Sequence, residues 1–153
     1  MTEPDTGPRT VAPTTFTLQQ YPETLAVVRL GAGAEVPEWA ESSSIFSVTA
    51  TAHATSVVCA ARSVPKKAHH QRGFTAFEVQ GPLDFELTGV LVALLTPLAE
   101  AEISVFTLST FDTDWILIAQ NDADRAAEAW RRHGHTVVVA VPAKKSSSRK
   151  NRS

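Results

Sequence analysis

A short polar turn between two apolar segments carries the side chains best suited to chemistry in this chain. Between Ile103–Leu108 and Trp115–Ile118, six residues include three hydroxyls and two carboxylates. Some polar groups are expected in any turn, because Asp and Ser side chains hydrogen-bond their own backbone. The density here, beside segments this apolar, predicts a site for a small ligand. The predicted binding residues of the turn are Ser109, Thr110, Asp112 and Asp114.

The second half of the chain predicts the elements that position this turn. Leucine and valine side chains recur at helical spacing over residues 87–98, with Thr88 as the predicted N-cap and a kink at Pro97. A second helix is predicted to begin near Asp122. The predicted strands are Phe74–Val79, Ile103–Leu108, Trp115–Ile118 and Thr136–Val141. This β-α-β-β-α-β order is the ferredoxin-like α+β fold, with an antiparallel sheet and both helices on one face.

The first half of the chain is rich in strands and predicts a shortened copy of the same unit. Strands are expected over residues 25–30, 45–49 and 56–60, with one helical turn over residues 37–41. The predicted organisation is a disordered N-terminal segment over 1–22, a reduced unit over 23–65, a complete domain over 66–142 and a basic disordered tail over 143–153.

The charges divide into an acidic body and a basic end. The body before residue 144 holds nine Lys and Arg residues and all 16 acidic residues, a net charge of −7, while residues 144–153 hold five basic residues. An acidic body argues against nucleic-acid binding as the main activity, since such proteins carry a basic face. Neither a secretory signal nor an apolar stretch long enough to span a membrane is visible, so we expect a cytoplasmic protein.

Catalytic and metal-binding patterns are weak. His69 and His70 are adjacent, so in an extended chain their side chains point in opposite directions, and no third ligand lies at metal-binding spacing. Asp84 and Glu86 form a carboxylate pair of the kind hydrolases use, but no nucleophile motif accompanies them. We therefore predict no enzyme, no metal and no cofactor.

Ordered short motifs across residues 23–140 resemble a family of small stand-alone proteins with two ACT domains. The family is related in design to the ACT modules of animal cytosolic arginine sensors and of bacterial aspartate kinases. The motifs are Val28–Leu30, Pro37–Ala40, Ser47–Thr49, Ser56–Cys59, Gly81–Phe85, Leu87–Leu91, Pro97–Ala101 and Ser109–Asp114. The resemblance implies a reduced ACT unit followed by a complete one, binding of an amino acid or another small effector, and no catalysis.

The sequence departs from the family pattern at two turns. Glu102 stands where the family usually has Gly, between the first helix and the next strand, and a left-handed backbone there costs a non-glycine residue about 1–2 kcal/mol. The family usually also has an acidic residue in the bend that here contains His53. If that acid contacts the ligand in relatives, the specificity of this chain differs.

Under this resemblance the ligand is a free amino acid at the seam between the two units. Its carboxylate suits the backbone N–H groups of Thr88, Gly89 and Val90 at the helix start. Its ammonium suits the polar turn, with Asp114 as the main contact, and Ser56 and Val57 form the opposite wall. Two alternatives remain: the turn only satisfies its own backbone, or the chain is an interaction module that pairs through sheet edges, as in a homodimer.

Overall fold

The structure is a computed structural model that describes residues 15–84 and 86–141. These residues form an α+β fold, and the second half follows the predicted ferredoxin-like βαββαβ order. The strands are β1 (Thr17–Leu30), β2 (Ser47–Ala50), β3 (Thr55–Ala60), β4 (His70–Val79), β5 (Val105–Ser109), β6 (Asp114–Ala119) and β7 (Thr136–Val139). The helices are α1 (Val90–Glu100) and α2 (Ala123–Arg132), with short 3₁₀ turns at Glu38–Ser42, Ala61–Ser63 and Gln120–Asp122.

All seven described strands belong to one curled sheet. Its order is β2-β3-β1-β4-β6-β5, and β7 pairs with β1. Neighbouring strands are antiparallel except for β1 and β7, which are parallel and pair Thr17 with Thr136. The first part of β1 therefore lies between β4 and β7, and its second part pairs with β3. Because β1 pairs with β3 of the first predicted unit and with β4 and β7 of the second, the units share one sheet.

The first strand is longer than the sequence predicted. It begins at Thr17, whereas the prediction placed its start at Leu25 and included residues 17–22 in a disordered segment. Phe16 and Leu18 are buried in the helix-covered core, but the polar residues that follow them obscure the alternation of a strand. Long-range pairing with β4 and β7 stabilises this part of the chain. Residues 1–14 and 142–153, which include most of the predicted disordered ends, lie outside the described residues.

Both helices cover one face of the sheet and bury its main core. Trp130 of α2 is fully buried, lies edge-to-face with Phe77 at 4.9 Å between ring centroids, and donates its indole N–H to the Leu94 carbonyl at 2.8 Å. Since an indole N–H needs a partner when it is buried, this bond ties α2 to α1. The opposite sheet face carries a smaller cluster around Leu117 and Trp115.

The ends of α1 differ from the prediction. Gly89, with φ of 80°, is the N-cap, so Thr88 is not the cap. At the other end Glu102 has φ of 58°, while its N–H donates to the Ala99 carbonyl and the Ile103 N–H donates to the Leu98 carbonyl. This pair of bonds is the Schellman closure. The position thus keeps the left-handed backbone that usually requires glycine.

Pro97 lies inside α1 and does not end it. A proline has no N–H, so the carbonyl four residues earlier, that of Ala93, loses its helical partner. The imidazole of His135 makes a hydrogen bond to the Ala93 backbone instead, and its Nδ1 accepts the Phe16 N–H at 3.0 Å. The neighbouring His133 instead contacts the end of α2, through its Nδ1 and the Ala129 carbonyl.

Candidate functional site

A pocket of about 320 Å³ lies between the start of α1 and the turn that joins β5 to β6. Its volume falls at the lower end of the range of small-ligand pockets, roughly 300–1,000 Å³. The lining residues are Leu83, Asp84, Leu87, Gly89, Val90, Leu91, Ser109, Thr110, Phe111, Asp112, Thr113 and Asp114. The structure therefore brings the predicted polar turn and most of the predicted helix start to one place.

The turn is held in position by its own hydroxyls and by the loop that precedes α1. Thr110 donates its N–H to the Thr113 carbonyl at 2.8 Å, and the Thr113 N–H donates back to the Thr110 hydroxyl at 3.3 Å. The Thr113 hydroxyl is buried and donates to the Val79 carbonyl. The Leu83 N–H donates to the Asp112 carbonyl at 2.8 Å. The two walls of the pocket are thus connected by direct hydrogen bonds.

The start of α1 presents backbone donors to this pocket. The first helical bond runs from the Ala93 N–H to the Gly89 carbonyl at 2.9 Å, and no side chain caps the helix. The N–H groups of the first turn therefore lack helical partners and carry the positive end of the helix dipole. Open space surrounds the position that a side chain would take at Gly89, so a ligand can reach this backbone.

Three carboxylates dominate the charge of the pocket, and its lining contains no Lys, Arg or His. Asp114 accepts a hydrogen bond from the Ser109 hydroxyl at 2.6 Å, and Asp84 accepts the Glu86 N–H at 3.0 Å. The Asp112 carboxylate accepts no hydrogen bond from any residue within 15–84 or 86–141, and it is exposed. The turn therefore has acceptor capacity beyond what its own backbone uses, which is a requirement for binding a cation.

A further carboxyl group, that of Glu78, lies behind the same turn. Glu78, on β4, lines a neighbouring cavity together with Thr110, Asp112 and Trp115. Burial raises the pKa of the Glu78 carboxyl, and a hydrogen bond from the Tyr21 hydroxyl at 3.5 Å opposes that rise. The Tyr21 ring packs against Trp115 at 4.9 Å between centroids. This cavity places a further carboxyl group close to the polar turn.

Three of the predicted site residues do not line the pocket. Thr88 is exposed and does not line it. Ser56 lines a separate cavity at the far end of β3, and Val57 is fully buried in the core of the first unit. Within one chain the structure therefore does not bring the first unit to this pocket. The reason is that β3 is separated from β6 by two strands of the sheet, β1 and β4.

Several lining residues were not predicted as site residues. They are Leu83, Asp84, Leu87, Leu91, Phe111 and Thr113. Asp84 was considered only as half of a hydrolase pair. Leu87 and Leu91 fit the helical spacing of apolar residues, so the sequence alone does not reveal that they also line the pocket. Their apolar surface beside the carboxylates matches the usual composition of a ligand pocket.

Two further observations concern metal ligands and membrane-spanning helices. Within the described part of the chain, no group of three or more His, Cys, Asp or Glu side chains is placed to hold a metal ion. No helix among the described residues is long and apolar enough to cross a membrane.

Similarity to known proteins supports the fold. The family model of the ACT domain matches residues 69–132, and a second model, which describes an N-terminal domain, matches residues 23–67. No curated protein matches the chain.

Three solved structures have similar folds. A protein from Agrobacterium tumefaciens is 29% identical, with a TM-score of 0.78, over 83% of this chain and 95% of its own length. A protein of unknown function from Vibrio cholerae is 15% identical, with a TM-score of 0.63, over 78% and 91%. The aspartate kinase of Clostridium acetobutylicum is 10% identical, with a TM-score of 0.59, over 76% of this chain and 33% of the kinase.

Proposed function

We propose that this chain binds a free amino acid in the pocket between α1 and the β5–β6 turn, as a regulatory ligand-binding module, a role supported by the ACT domain model that matches residues 69–132. We propose further that the chain is a non-catalytic sensor. The observation that carries the proposal is the meeting of two complementary groups in one pocket. These groups are the uncapped start of α1 and the carboxylates of Asp112 and Asp114.

The chemistry of an amino acid matches these two groups. Its carboxylate pairs with the N–H groups at Gly89 and Val90, where the helix dipole is positive. Its ammonium pairs with Asp114 and Asp112, and a hydrogen bond of this charge-assisted kind contributes roughly 1.5–3 kcal/mol. Ser109 already binds Asp114, which orients the carboxylate before the ligand arrives. Such preorganisation lowers the entropy cost of binding.

The charge of the pocket also predicts which amino acids bind most tightly. Three carboxylates and no basic side chain line it, so the field favours a net positive ligand. We therefore expect amino acids with cationic side chains to bind more tightly than neutral ones, and acidic ones to bind least. The Leu87 and Leu91 side chains supply apolar contact for an aliphatic stem.

The predicted seam between the two units requires a second copy of the chain. Ser56 and Val57 lie on β3, and within one chain they do not reach the pocket. They form the opposite wall only if another copy presents its first unit there. A ligand-dependent dimer is therefore part of this proposal, whereas binding to a single chain involves the α1 start and the polar turn alone.

A thermal-shift screen against the twenty amino acids tests the proposal. A ligand at 100 times its dissociation constant stabilises by about 2.7 kcal/mol, which corresponds to a Tm rise of roughly 5–10 °C for a chain of this size. Asp114→Asn keeps an acceptor for Ser109 but removes the charge, so we expect it to weaken binding about tenfold. Asp124→Asn, an exposed acid on α2, is the matched control and keeps full affinity.

Two outcomes contradict this proposal. If no amino acid raises Tm, the pocket does not bind this class of ligand. If one does and Asp114→Asn binds it as tightly as the control, the ligand occupies another site.

A second function is favoured by the edge of the sheet. Among the described strands β7 pairs only with β1, and its outer edge carries Val138 and Val139, with exposed fractions of 40% and 71%. An exposed apolar edge strand is suited to pairing with another strand. If the chain is an interaction module, light scattering should show a tight dimer, and no amino acid should change its mass. A monomer under all these conditions removes this alternative.

A further inference from the structure

One buried histidine joins three elements of the fold. The His135 side chain is 5% exposed and stacks on Phe16, at 5.9 Å between ring centroids. Its Nδ1 accepts the Phe16 N–H at 3.0 Å, and the imidazole also makes a hydrogen bond to the Ala93 backbone in α1. A neutral imidazole has one acceptor and one donor nitrogen, so Nε2 carries the proton and the Ala93 carbonyl accepts it. The start of β1, α1 and the segment before β7 therefore meet at this ring.

The first connection from this ring to the pocket beside α1 runs through the helix. The Ala93 carbonyl lacks a helical partner because Pro97 has no N–H, and the imidazole of His135 takes its place. The Ala93 N–H donates to the Gly89 carbonyl at 2.9 Å. Gly89 is the N-cap of α1 and lines the pocket. The helix wall of the pocket is thus linked to His135 through a single residue.

The second connection runs through the start of β1. Phe16, whose N–H is bound by the imidazole, precedes Thr17, and the Thr17 carbonyl accepts the Gln80 N–H at 2.8 Å. Further along the same loop, the Leu83 N–H donates to the Asp112 carbonyl at 2.8 Å. Leu83 and Asp112 both line the pocket. The wall formed by the polar turn is therefore also connected to the buried ring, by a short series of backbone hydrogen bonds.

A proton on Nδ1 breaks this junction. The protonated imidazole has two donors and no acceptor, so it faces the Phe16 N–H donor to donor. Phe16 is itself buried, and a buried N–H without an acceptor is unfavourable. The end of a strand also opens more easily than its centre. Protonation therefore favours a state in which the start of β1 has left the imidazole and exposed it to water.

Few charged groups lie on the elements packed against His135. The titratable group of α1 is Glu100, which pairs with His133 at 3.7 Å, and the last turn of α2 carries Arg131 and Arg132. Neither β7 nor the first four residues of β1 contain a titratable side chain. Burial and His133 lower the pKa of His135, so the hydrated imidazole of the released state binds the proton more tightly than the buried one. The closed junction is thus favoured above about pH 6.5 and is lost as the pH falls towards the folded-state pKa.

We propose that His135 is a pH-sensitive switch that holds the pocket beside α1 in its binding form near neutral pH and loosens both of its walls in acid. The element that moves is the start of β1, which the neutral imidazole retains and the protonated imidazole releases. The apparent affinity of the pocket is the affinity of its closed form multiplied by the fraction of molecules in that form, so acid weakens binding. This last step rests on the proposed amino-acid site, whereas the release of β1 does not.

Amide hydrogen exchange of the full chain without ligand, at pH 7.5 and 5.5, tests the release directly. Protection factors, which correct for the intrinsic pH dependence of exchange, are compared for the amides of Phe16, Gln80 and Leu83. We expect each factor to fall by about threefold or more at pH 5.5, because the junction is linked to one proton. The amides of β6, whose Ile116 and Ile118 lie in the main core, should lose less protection. An equal loss in β6 would indicate global unfolding and would overturn the proposal.

Calorimetric titration with L-lysine measures the effect on the pocket. Lysine is the probe because the acidic lining favours a cationic amino acid, and its own charges do not change between pH 5.5 and 7.5. We expect its dissociation constant to be about threefold higher at pH 5.5, in proportion to the loss of the closed form.

Two variants assign this pH dependence to the buried ring. His135→Asn places an amide oxygen near the position of Nδ1 but does not titrate, so its affinity for lysine should change little with pH. The matched control is His53→Gln, which alters an exposed histidine in the bend between β2 and β3 and should retain the full pH dependence. Glu78, whose pKa is raised by burial, is present in both variants and so does not affect the comparison.

The two experiments separate the switch from the amino-acid site. If lysine does not bind at pH 7.5, the amino-acid proposal fails for cationic ligands, and exchange at Phe16 and Leu83 decides the switch by itself. Exchange requires no variant, so that test stands even if His135→Asn does not fold. Unchanged protection of Phe16 and Leu83 at pH 5.5 overturns the switch. So does an equal pH dependence of lysine affinity in His135→Asn and His53→Gln.

Discussion

Acidification from pH 7.5 to 5.5 is expected to destabilise this protein through one buried imidazole. His135 is 5% exposed, and its Nδ1 accepts the N–H of Phe16, the residue just before β1. Burial lowers the pKa of His135, and the nearby His133 lowers this pKa further. The hydrogen bond to the Ala93 backbone opposes the decrease. A proton on Nδ1 would face the Phe16 N–H, so protonation removes this acceptor.

The direction of the pH effect follows from the lowered pKa. In the unfolded chain a histidine has a pKa of about 6.5, and in the folded protein the pKa of His135 lies below that value. As the pH falls below about 6.5, the unfolded state binds the proton first. The stabilising contribution of His135 is therefore complete above pH 6.5 and is lost as the pH falls towards the folded-state pKa.

The variant His135→Phe measures how much the hydrogen bond from the Phe16 N–H contributes to stability. His135→Phe keeps a ring that stacks on Phe16, at 5.9 Å between centroids in the native pair, but leaves the buried Phe16 N–H without its acceptor. An unsatisfied buried donor costs roughly 1–3 kcal/mol. At about 2–4 °C per kcal/mol for a chain of this size, Tm should fall by between roughly 2 and 12 °C at pH 7.5.

Urea unfolding at pH 7.5 and 5.5 is the assay. We expect the free energy of unfolding of the unaltered protein to fall between the two values, and that of His135→Phe to change less. His53→Gln is the matched control, because His53 is exposed in the bend between β2 and β3 and should leave the pH dependence unchanged. The reasoning is refuted if His135→Phe is as stable as the unaltered protein at pH 7.5, or if its pH dependence is unchanged.

Two further predictions concern left-handed residues at the ends of α1. Glu102 has φ of 58°, so Glu102→Gly should stabilise the protein by about 1 kcal/mol in urea unfolding. The control Glu100→Gly, in the last turn of the helix, should destabilise the protein. A loss of stability in Glu102→Gly would contradict this prediction. Gly89 has φ of 80°, and open space surrounds the position that a side chain would take. Gly89→Ala should therefore lower the free energy of unfolding by about 1–2 kcal/mol through backbone strain alone, and it should weaken amino-acid binding. Unchanged stability and affinity would show that the helix start tolerates a side chain.

Much of the candidate site was predictable because its signals are local. The density of hydroxyls and carboxylates over Ser109–Asp114 is visible in the sequence, and so is the glycine before the apolar helix. Both features reflect short-range chemistry, the turn propensity of Asp and Ser and the conformational freedom of glycine. The prediction of Thr88 as the N-cap was wrong, because the backbone of Gly89 takes that position and no side chain caps the helix.

The predicted start of β1 at Leu25 was wrong because the true start, at Thr17, depends on pairing between distant segments. The types and order of the elements follow from periods of two and 3.6 residues, which each segment carries by itself. The insertion of β1 between β4 and β7 pairs Thr17 with Thr136, and no local pattern encodes a contact over that distance.

The sequence by itself determined the α+β class, the βαββαβ order and the polar turn. Only the tertiary structure decided that Asp84 joins Asp112 and Asp114 at one pocket, while Ser56 lies in another with Arg29 and His70. The physical reason is that sheet order and strand register determine which side chains become neighbours, and they are decided by the burial of the whole core, Leu18 and Trp130 included.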